Sequence, residues 1–143
     1  MNILIVSLLF FIACNKEAEP INYGKDQCEH CRMTIMDNKF GSEIITVKGK
    51  VFKFDAAECM AGYLLENNPE GRDIEKYIVT DYSAPGEFIN AVNSYFLISP
   101  GIKSPMGENL SAFGNYETAL KFAADKGGEV FKWNDLLNKL KKK

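Results

Sequence analysis

Short apolar stretches separated by turn residues mark the chain from about residue 40 onward. Residues 43–48 (EIITVK) are rich in β-branched side chains, and residues 51–54 (VFKF) follow them across Gly49-Lys50. Two such stretches joined by a tight pair that contains glycine are typical of a β-hairpin. The pattern therefore predicts an antiparallel pair of strands at this point.

The spacing of apolar residues changes to that of a helix directly after this hairpin. Asp55 is the predicted N-cap, with Glu58 as the capping-box partner three residues later. The apolar stripe and the following Asn-Asn-Pro predict a helix over residues 56–66. Residues 77–80 (YIVT) predict another strand.

The second half of the chain repeats this order of elements. The pattern predicts a strand at 91–99, a loop rich in Pro and Gly at 100–107, a strand at 110–113, a helix at 116–126 closed by Gly127-Gly128, a strand at 129–132, and an added helix at about 134–140. Both halves thus consist of strand, strand, helix and strand. We predict an α+β protein of two similar ββαβ modules packed together, at about 38–81 and 88–132, plus a C-terminal helix.

Composition and charge narrow the possible functions. The chain has 143 residues, of which 46% are hydrophobic and 25% charged. A core of ordinary size is therefore possible without disulfides. The net charge of −2 argues against a nucleic-acid partner, which requires a clustered basic face.

An apolar segment without charge occupies residues 1–13. It is too short to span a bilayer but suits a secretory signal peptide. The segment ends in Phe11-Ile12-Ala13-Cys14, which resembles a lipobox, so we predict a lipid on Cys14. Residues 14–27 would be the anchor and tether, and residues 28–143 the folded domain. The predicted location is the cell envelope, on the outer membrane or on a membrane that faces the periplasm.

Lipidation changes the cysteine count. If Cys14 carries lipid, then Cys28, Cys31 and Cys59 remain. An odd number of thiols cannot form a complete set of disulfides within one chain. At least one of these thiols is therefore expected to have another use.

The segment 28–36 (CEHCRMTIM) has the highest density of candidate metal ligands. Its five sulfur or imidazole side chains are those of Cys28, His30, Cys31, Met33 and Met36. Thiolates and thioethers are the ligands that Cu(I) prefers. Cys31 and Met33 can face one ion from an extended backbone, and a tight turn can add Cys28.

The other sulfur side chains are weaker indications of a metal site. Met106 lies between Pro and Gly neighbours in Ser104-Pro105-Met106-Gly107, where it is expected to be presented by a constrained loop. Cys59 and Met60 lie on the first predicted helix beside its apolar stripe, so we predict them to be core residues. Met36 is also interpreted as core filler.

Other uses of the Cys28-x-x-Cys31 pair are less consistent with the sequence. Zinc normally takes four ligands, and no second Cys or His pair is present. Covalent haem attachment would need histidine in place of Arg32. A thioredoxin-type pair would begin a helix, whereas this pair precedes the first strand. A plain disulfide between the two cysteines remains open.

These motifs, in this order, resemble those of the NosL family of nitrous oxide reductase accessory proteins. The resemblance rests on the lipobox, Cys-x-x-Cys-x-Met, Phe54-Asp55 followed by Cys59-Met60, the Ser-Pro-Met-Gly loop, and Phe113. It implies a fold of two ββαβ modules and a copper(I)-binding lipoprotein that is not an enzyme. It assigns Cys31 and Met33 as the ligand pair, with Met106 as an extra ligand. Family members commonly have glycine where this chain has Arg32.

The resemblance also implies partners. The expected function is a metallochaperone that delivers Cu(I), by ligand exchange, for maturation of nitrous oxide reductase beside an ABC-type transporter. Two chains sharing one ion in a homodimer is a further possibility. The alternatives are a membrane-anchored thiol-disulfide oxidoreductase that uses Cys28 and Cys31, a copper carrier for another respiratory enzyme, and an interaction lipoprotein with paired cysteines.

Overall fold

The structure is a computed structural model that describes residues 16–142. Its helices and strands follow one another along the chain as β1 (Ser42–Thr46), β2 (Val51–Phe54), α1 (Ala57–Asn67), β3 (Ile74–Thr80), β4 (Phe88–Asn90), a 3-10 turn (Ala91–Asn93), β5 (Tyr95–Ile98), β6 (Leu110–Phe113), α2 (Tyr116–Lys126), β7 (Glu129–Lys132) and α3 (Trp133–Lys141). The signal segment and Cys14 lie outside the described residues. Within those residues, no helix is both long and apolar enough to cross a lipid bilayer.

Two antiparallel sheets organise these elements. The first has the strand order β2-β1-β3-β4, and the second has the order β6-β5-β7. In each sheet, the first strand of the strand-strand-helix-strand sequence lies between the other two. The expected α+β class, with two antiparallel sheets built in the same order, is therefore confirmed.

The predicted strand over residues 91–99 is wrong in its first part. The Asn90 side chain accepts hydrogen bonds from the Val92 and Asn93 backbone nitrogens, and this closes a 3-10 turn. The turn separates β4, which extends the first sheet, from β5, which forms the centre of the second. The Asn90 side chain thus binds the backbone of the residues that follow it and favours a turn, although the stretch is apolar and rich in residues that favour strands.

The predicted cap of α1 is also wrong. Ala56 occupies the N-cap position, and no side chain caps the helix there. The Asp55 carboxyl instead accepts a hydrogen bond from the backbone N–H of Met36. By contrast, α2 begins and ends as predicted, because the Asn115 side chain accepts from the Thr118 nitrogen at 3.1 Å and Gly127 follows the last turn.

The two halves share one core. The Trp133 ring on α3 lies between Tyr77 of the first sheet and Phe96 of the second, with ring centroids 5.6 and 5.5 Å away. The backbone nitrogen of Tyr82 also donates to the Ala112 carbonyl at 2.8 Å. These contacts join the sheets through both side chains and backbone.

The segment before the first strand lies along the first sheet. Glu17 pairs with Lys76 at 3.0 Å, and the Glu19 nitrogen donates to the buried Glu43 carboxyl at 3.1 Å. Further along, Lys53 donates to the Pro20 carbonyl at 2.9 Å. The segment thereby places the Cys-rich loop beside the point where β2 passes into α1.

Candidate metal centre

The Cys-rich loop is closed by its own backbone. The Cys28 nitrogen donates to the Met33 carbonyl at 2.8 Å, and the Arg32 nitrogen donates to the Cys28 carbonyl at 3.0 Å. Arg32 has φ of 64°, in the left-handed region that favours glycine. This conformation gives a physical reason for glycine at that position. The fully buried Ile35 fixes the loop against the core.

Three cysteine sulfurs come together at this loop. Those of Cys28, Cys31 and Cys59 all lie within 4.8 Å of one another. Metal–thiolate bonds are about 2.3 Å long, so two thiolates on one ion lie at most about 4.6 Å apart. A small inward movement of the sulfurs would therefore place one ion between all three.

Cys59 reaches this cluster from the first turn of α1. It is buried, as predicted, but its sulfur faces the other two thiols and not only the core. Our sequence reasoning missed this contact. The one signal that pointed to it was the odd number of thiols left after lipidation. All three cysteines are free thiols in the described part of the chain.

The Cys28 sulfur lies in a ring of hydrogen-bond donors. The pKa of this thiol is lowered, chiefly because the Cys59 thiol donates to its sulfur. The backbone N–H groups of Asp55, Cys31 and His30 also point at the sulfur, with the Cys31 nitrogen at 3.5 Å. The arrangement favours a thiolate at Cys28, and the thiolate is the form that binds metal.

The other two thiols hold their protons more firmly. Burial raises the pKa of Cys31, although the Met33 backbone N–H, which points at its sulfur, opposes the rise. The pKa of Cys59 is raised chiefly because it donates its proton to Cys28, and burial adds to this. A soft metal ion that bound all three sulfurs would therefore displace protons from Cys31 and Cys59.

The two methionines predicted for the site, Met33 and Met106, and also Met36 lie at the protein surface. Met33 is 56% exposed, Met36 68% and Met106 40%. For Met36 this contradicts the interpretation as core filler, whereas Met60 is fully buried as predicted. Exposed thioethers beside a thiol cluster are available to an incoming metal or partner.

Met106 is positioned by α1. The buried Glu58 carboxyl, one residue before Cys59, faces the Ser104 hydroxyl and the Met106 backbone N–H. Burial raises the pKa of Glu58, and these two donors oppose the rise. The Ser-Pro-Met-Gly loop thus lies next to the helix turn that carries Cys59, although neither oxygen of Glu58 has a hydrogen-bond partner of good geometry.

The His30 ring is turned toward the helix and not toward the sulfurs. Its Nδ1 lies 3.7 Å from a Glu66 carboxyl oxygen, and its Nε2 lies 2.8 Å from the place where a Cβ on Gly62 would stand. Among residues 16–142, the group of candidate ligands contains the three cysteines without this histidine. In this geometry His30 contributes to the centre through its backbone N–H.

Comparison with known proteins identifies relatives of this chain. The family model of NosL matches residues 21–140. The copper-binding lipoprotein NosL of Stutzerimonas stutzeri is 28% identical over an alignment 127 positions long, which covers 82% of this chain. The alignment spans 66% of that relative, just under two thirds of its length.

A solved structure shows the same fold. The crystal structure of the copper chaperone NosL from Shewanella denitrificans matches with a TM-score of 0.73 at 24% identity. The match covers 85% of this chain and 96% of the other. Because the family model covers most of the residues that form the two sheets and the thiol cluster, the chain belongs to the NosL family.

Proposed function

We propose that this protein is a copper(I) chaperone of the cell envelope, which holds one ion among Cys28, Cys31 and Cys59. The observation that carries the proposal is the convergence of three sulfurs within 4.8 Å. Cu(I) is soft and prefers thiolate ligands, and Met33 presents an exposed thioether two residues after Cys31. The two NosL proteins named above are described as copper-binding lipoprotein and copper chaperone, which supports the same assignment.

The ligand set extends the pair that the family resemblance implies. Cys31 stays among the ligands of this ion, and Met33 on the same loop and Met106 on the neighbouring loop are accessible thioethers for ligand exchange. Cys28 and Cys59 add two thiols from the same chain. One chain then supplies enough soft ligands for an ion, so a shared site between two chains is not required.

The proposed chemistry is ligand exchange, and the protein is a carrier and not an enzyme. Cys31 is the partly exposed member of the cluster, whereas Cys28 and Cys59 are buried. A ligand of the acceptor would therefore attack the ion on the side of Cys31 and Met33. The ion would pass to the acceptor without release into solvent and would remain Cu(I).

Family membership and the N-terminal motif support a specific acceptor and location. We propose delivery to nitrous oxide reductase in denitrifying metabolism, beside its ABC-type maturation transporter. The lipid on Cys14 would keep the carrier at the membrane, on the periplasmic side. The test compares copper transfer from the loaded chain to two acceptors, the metal-free reductase and the copper domain of a respiratory oxidase. Faster and more complete transfer to the reductase would support this proposal.

An anaerobic titration tests the metal site. The reduced, lipidated chain in detergent is titrated with Cu(I) against a chromophoric chelator. We expect one tightly bound ion, weakened at least tenfold in Cys28→Ser, Cys31→Ser and Cys59→Ser. Met60→Leu is the matched control, because Met60 is a buried sulfur residue next to Cys59 that carries no thiol.

Other outcomes decide between the alternatives. Full affinity in Cys59→Ser, with loss in Cys31→Ser, would restrict the site to the Cys31 and Met33 pair. Wild-type affinity no better than that of a single thiol would remove the copper assignment. A rapid, reversible Cys28–Cys31 disulfide in that case would establish the thiol-disulfide oxidoreductase.

A further inference from the structure

A shallow depression lies beside the thiol cluster. Its volume is about 310 Å³, and its lining includes Met33, Met36, Asp55, Lys103 and Ser104. Met33 and Met36 are the two most exposed of the large hydrophobic side chains in the described part of the chain. Two thioethers with this exposure in one depression are unusual, because methionine normally fills core gaps.

A buried carboxyl in the wall of the depression has spare bonding capacity. Asp55 is 4% exposed, and its Oδ1 atom has no hydrogen-bond partner. The carboxyl accepts from the Met36 N–H, while the backbone N–H of Asp55 points at the Cys28 sulfur. Asp55 therefore lies between the depression and the cluster. It lines the depression, and its backbone N–H contacts the Cys28 sulfur.

An unpartnered buried carboxyl oxygen is energetically costly, and a cation beside it would offset that cost. Three thiolates around one Cu(I) would leave a net charge of −2 next to Asp55. A second monovalent cation would lower this charge. Because the other donors are thioethers, the cation that fits is soft.

We propose that Met33, Met36 and Asp55 form a second, outer Cu(I) site, through which copper enters and leaves the thiol cluster. This inference rests on the proposed copper function and adds a site to it. On entry, the ion binds the two thioether sulfurs and the Asp55 oxygen. Bonds to the cluster thiolates then form as the bonds to Met36 and Asp55 break, and the thiol protons pass to solvent. Copper remains Cu(I), so no oxidant or reductant takes part.

Methionine-methyl NMR tests the outer site directly. The lipidated chain, labelled with ¹³C at the methionine methyl groups, is titrated anaerobically with Cu(I) to two equivalents. We expect the second equivalent to shift the Met36 methyl signal, and that of Met33 with it. Met60 provides the internal control, since this buried methionine should not move. Chelator competition should show that Met36→Leu and Asp55→Asn weaken the second ion at least tenfold, while Met36→Leu leaves the first ion unchanged.

The outcomes distinguish this inference from the proposed function. If the first ion binds the thiols and the Met36 signal stays fixed through two equivalents, the outer site is overturned and the chaperone stands. A shift of Met106 in place of Met36 at the second equivalent also overturns it. If no ion binds the thiols tightly, both proposals fail.

Discussion

The sulfur of Cys59, on the first turn of α1, lies within 4.8 Å of the sulfur of Cys28 in the N-terminal loop. The loop and the helix are held together at this point by the Cys59 thiol, which donates to Cys28, and by the Asp55 backbone N–H. A metal ion bound by both sulfurs would join the two elements further. Metal affinity and the stability of the folded chain should therefore be coupled.

Copper should stabilise the fold through this coupling. With free Cu(I) about 1,000-fold above its dissociation constant, the free energy of unfolding should rise by about 4 kcal/mol. Binding of copper to thiols of the unfolded chain would reduce the gain. Anaerobic urea unfolding, with the free Cu(I) concentration buffered by a chelator, measures the change.

Cys59→Ser separates the metal effect from the effect on packing. Its copper-dependent gain should be smaller by about 1.4 kcal/mol for each tenfold loss of affinity. The copper-free variant supplies the baseline for its own stability, and Met60→Leu should keep the wild-type gain. An equal gain in Cys59→Ser and wild type would mean that α1 provides no ligand.

The folded protein should be more stable with glycine in place of Arg32. Its φ of 64° costs a non-glycine residue about 1–2 kcal/mol, whereas the flexibility of glycine in the unfolded chain costs about 0.4–1 kcal/mol. We therefore expect Arg32→Gly to raise the free energy of unfolding by about 1 kcal/mol, as measured by urea unfolding of the copper-free protein.

Arg32→Ala is the control for the side chain. It keeps the left-handed backbone and removes only an exposed pair with Glu29 at 3.4 Å, so it should change stability by less than about 0.5 kcal/mol. Equal effects of alanine and glycine would show that the backbone conformation at this position stores no strain.

Elements with local signals were predicted well. The hairpin was recovered because a glycine turn lies between two apolar stretches, and α2 because Asn115 and Gly127 mark its ends. The error at Asp55 has a long-range cause. Its carboxyl accepts from the Met36 backbone N–H, a contact made by a loop far away in sequence, and it does not cap α1.

The candidate site was predicted only in the part that is local in sequence. Cys28 and Cys31 lie in one short loop, so their spacing indicated a shared site. Cys59 joins them through the packing of α1 against that loop, and the pattern of a helix cannot report a contact of this kind. An apolar stripe predicts burial, but it does not show whether a buried thiol faces carbon or sulfur.

The turn between α2 and β7 should tolerate only glycine at residue 128. Gly128 has φ of +107°, and an added Cβ would overlap the Ile98 carbonyl oxygen and approach the Ser99 Cα to 2.8 Å. Both obstacles are backbone atoms of consecutive residues at the end of β5, which pairs with β7: Ile98 is its last residue and Ser99 follows directly, so they cannot move aside separately. Gly128→Ala should cost at least about 3 kcal/mol in urea unfolding.

Gly86 is the matched control, because it also has a positive φ, of +86°, but nothing lies within 4 Å of its added Cβ. Gly86→Ala should cost only about 1–2 kcal/mol, which is the backbone penalty alone. If the two substitutions cost the same, the close approach at Gly128 is not a determinant of the fold.

The free energy of unfolding should fall as the pH rises, because Glu43 is buried. This residue is fully buried near the start of β1, and its Oε1 has no hydrogen-bond partner. Burial raises the pKa of Glu43 to about 7, although the Glu19 N–H and Lys53 oppose the rise. Between the ordinary pKa of 4.5 and about 7, the folded state binds more protons at this residue than the unfolded state. The contribution of Glu43 to stability is therefore complete below pH 4.5 and is lost as the pH rises through 7.

The neutral variant Glu43→Gln removes this dependence. Near pH 5, wild type and variant should have similar free energies of unfolding. Near pH 8, the variant should be more stable by up to about 3 kcal/mol, at 1.36 kcal/mol per pKa unit. Urea unfolding of the reduced, copper-free chains at both pH values measures the difference, and the thiols contribute equally to both. Glu17→Gln, which removes an exposed pair with Lys76, should change stability by less than about 1 kcal/mol at either pH. A difference between wild type and Glu43→Gln that does not change with pH would show that Glu43 keeps an ordinary pKa in the folded protein.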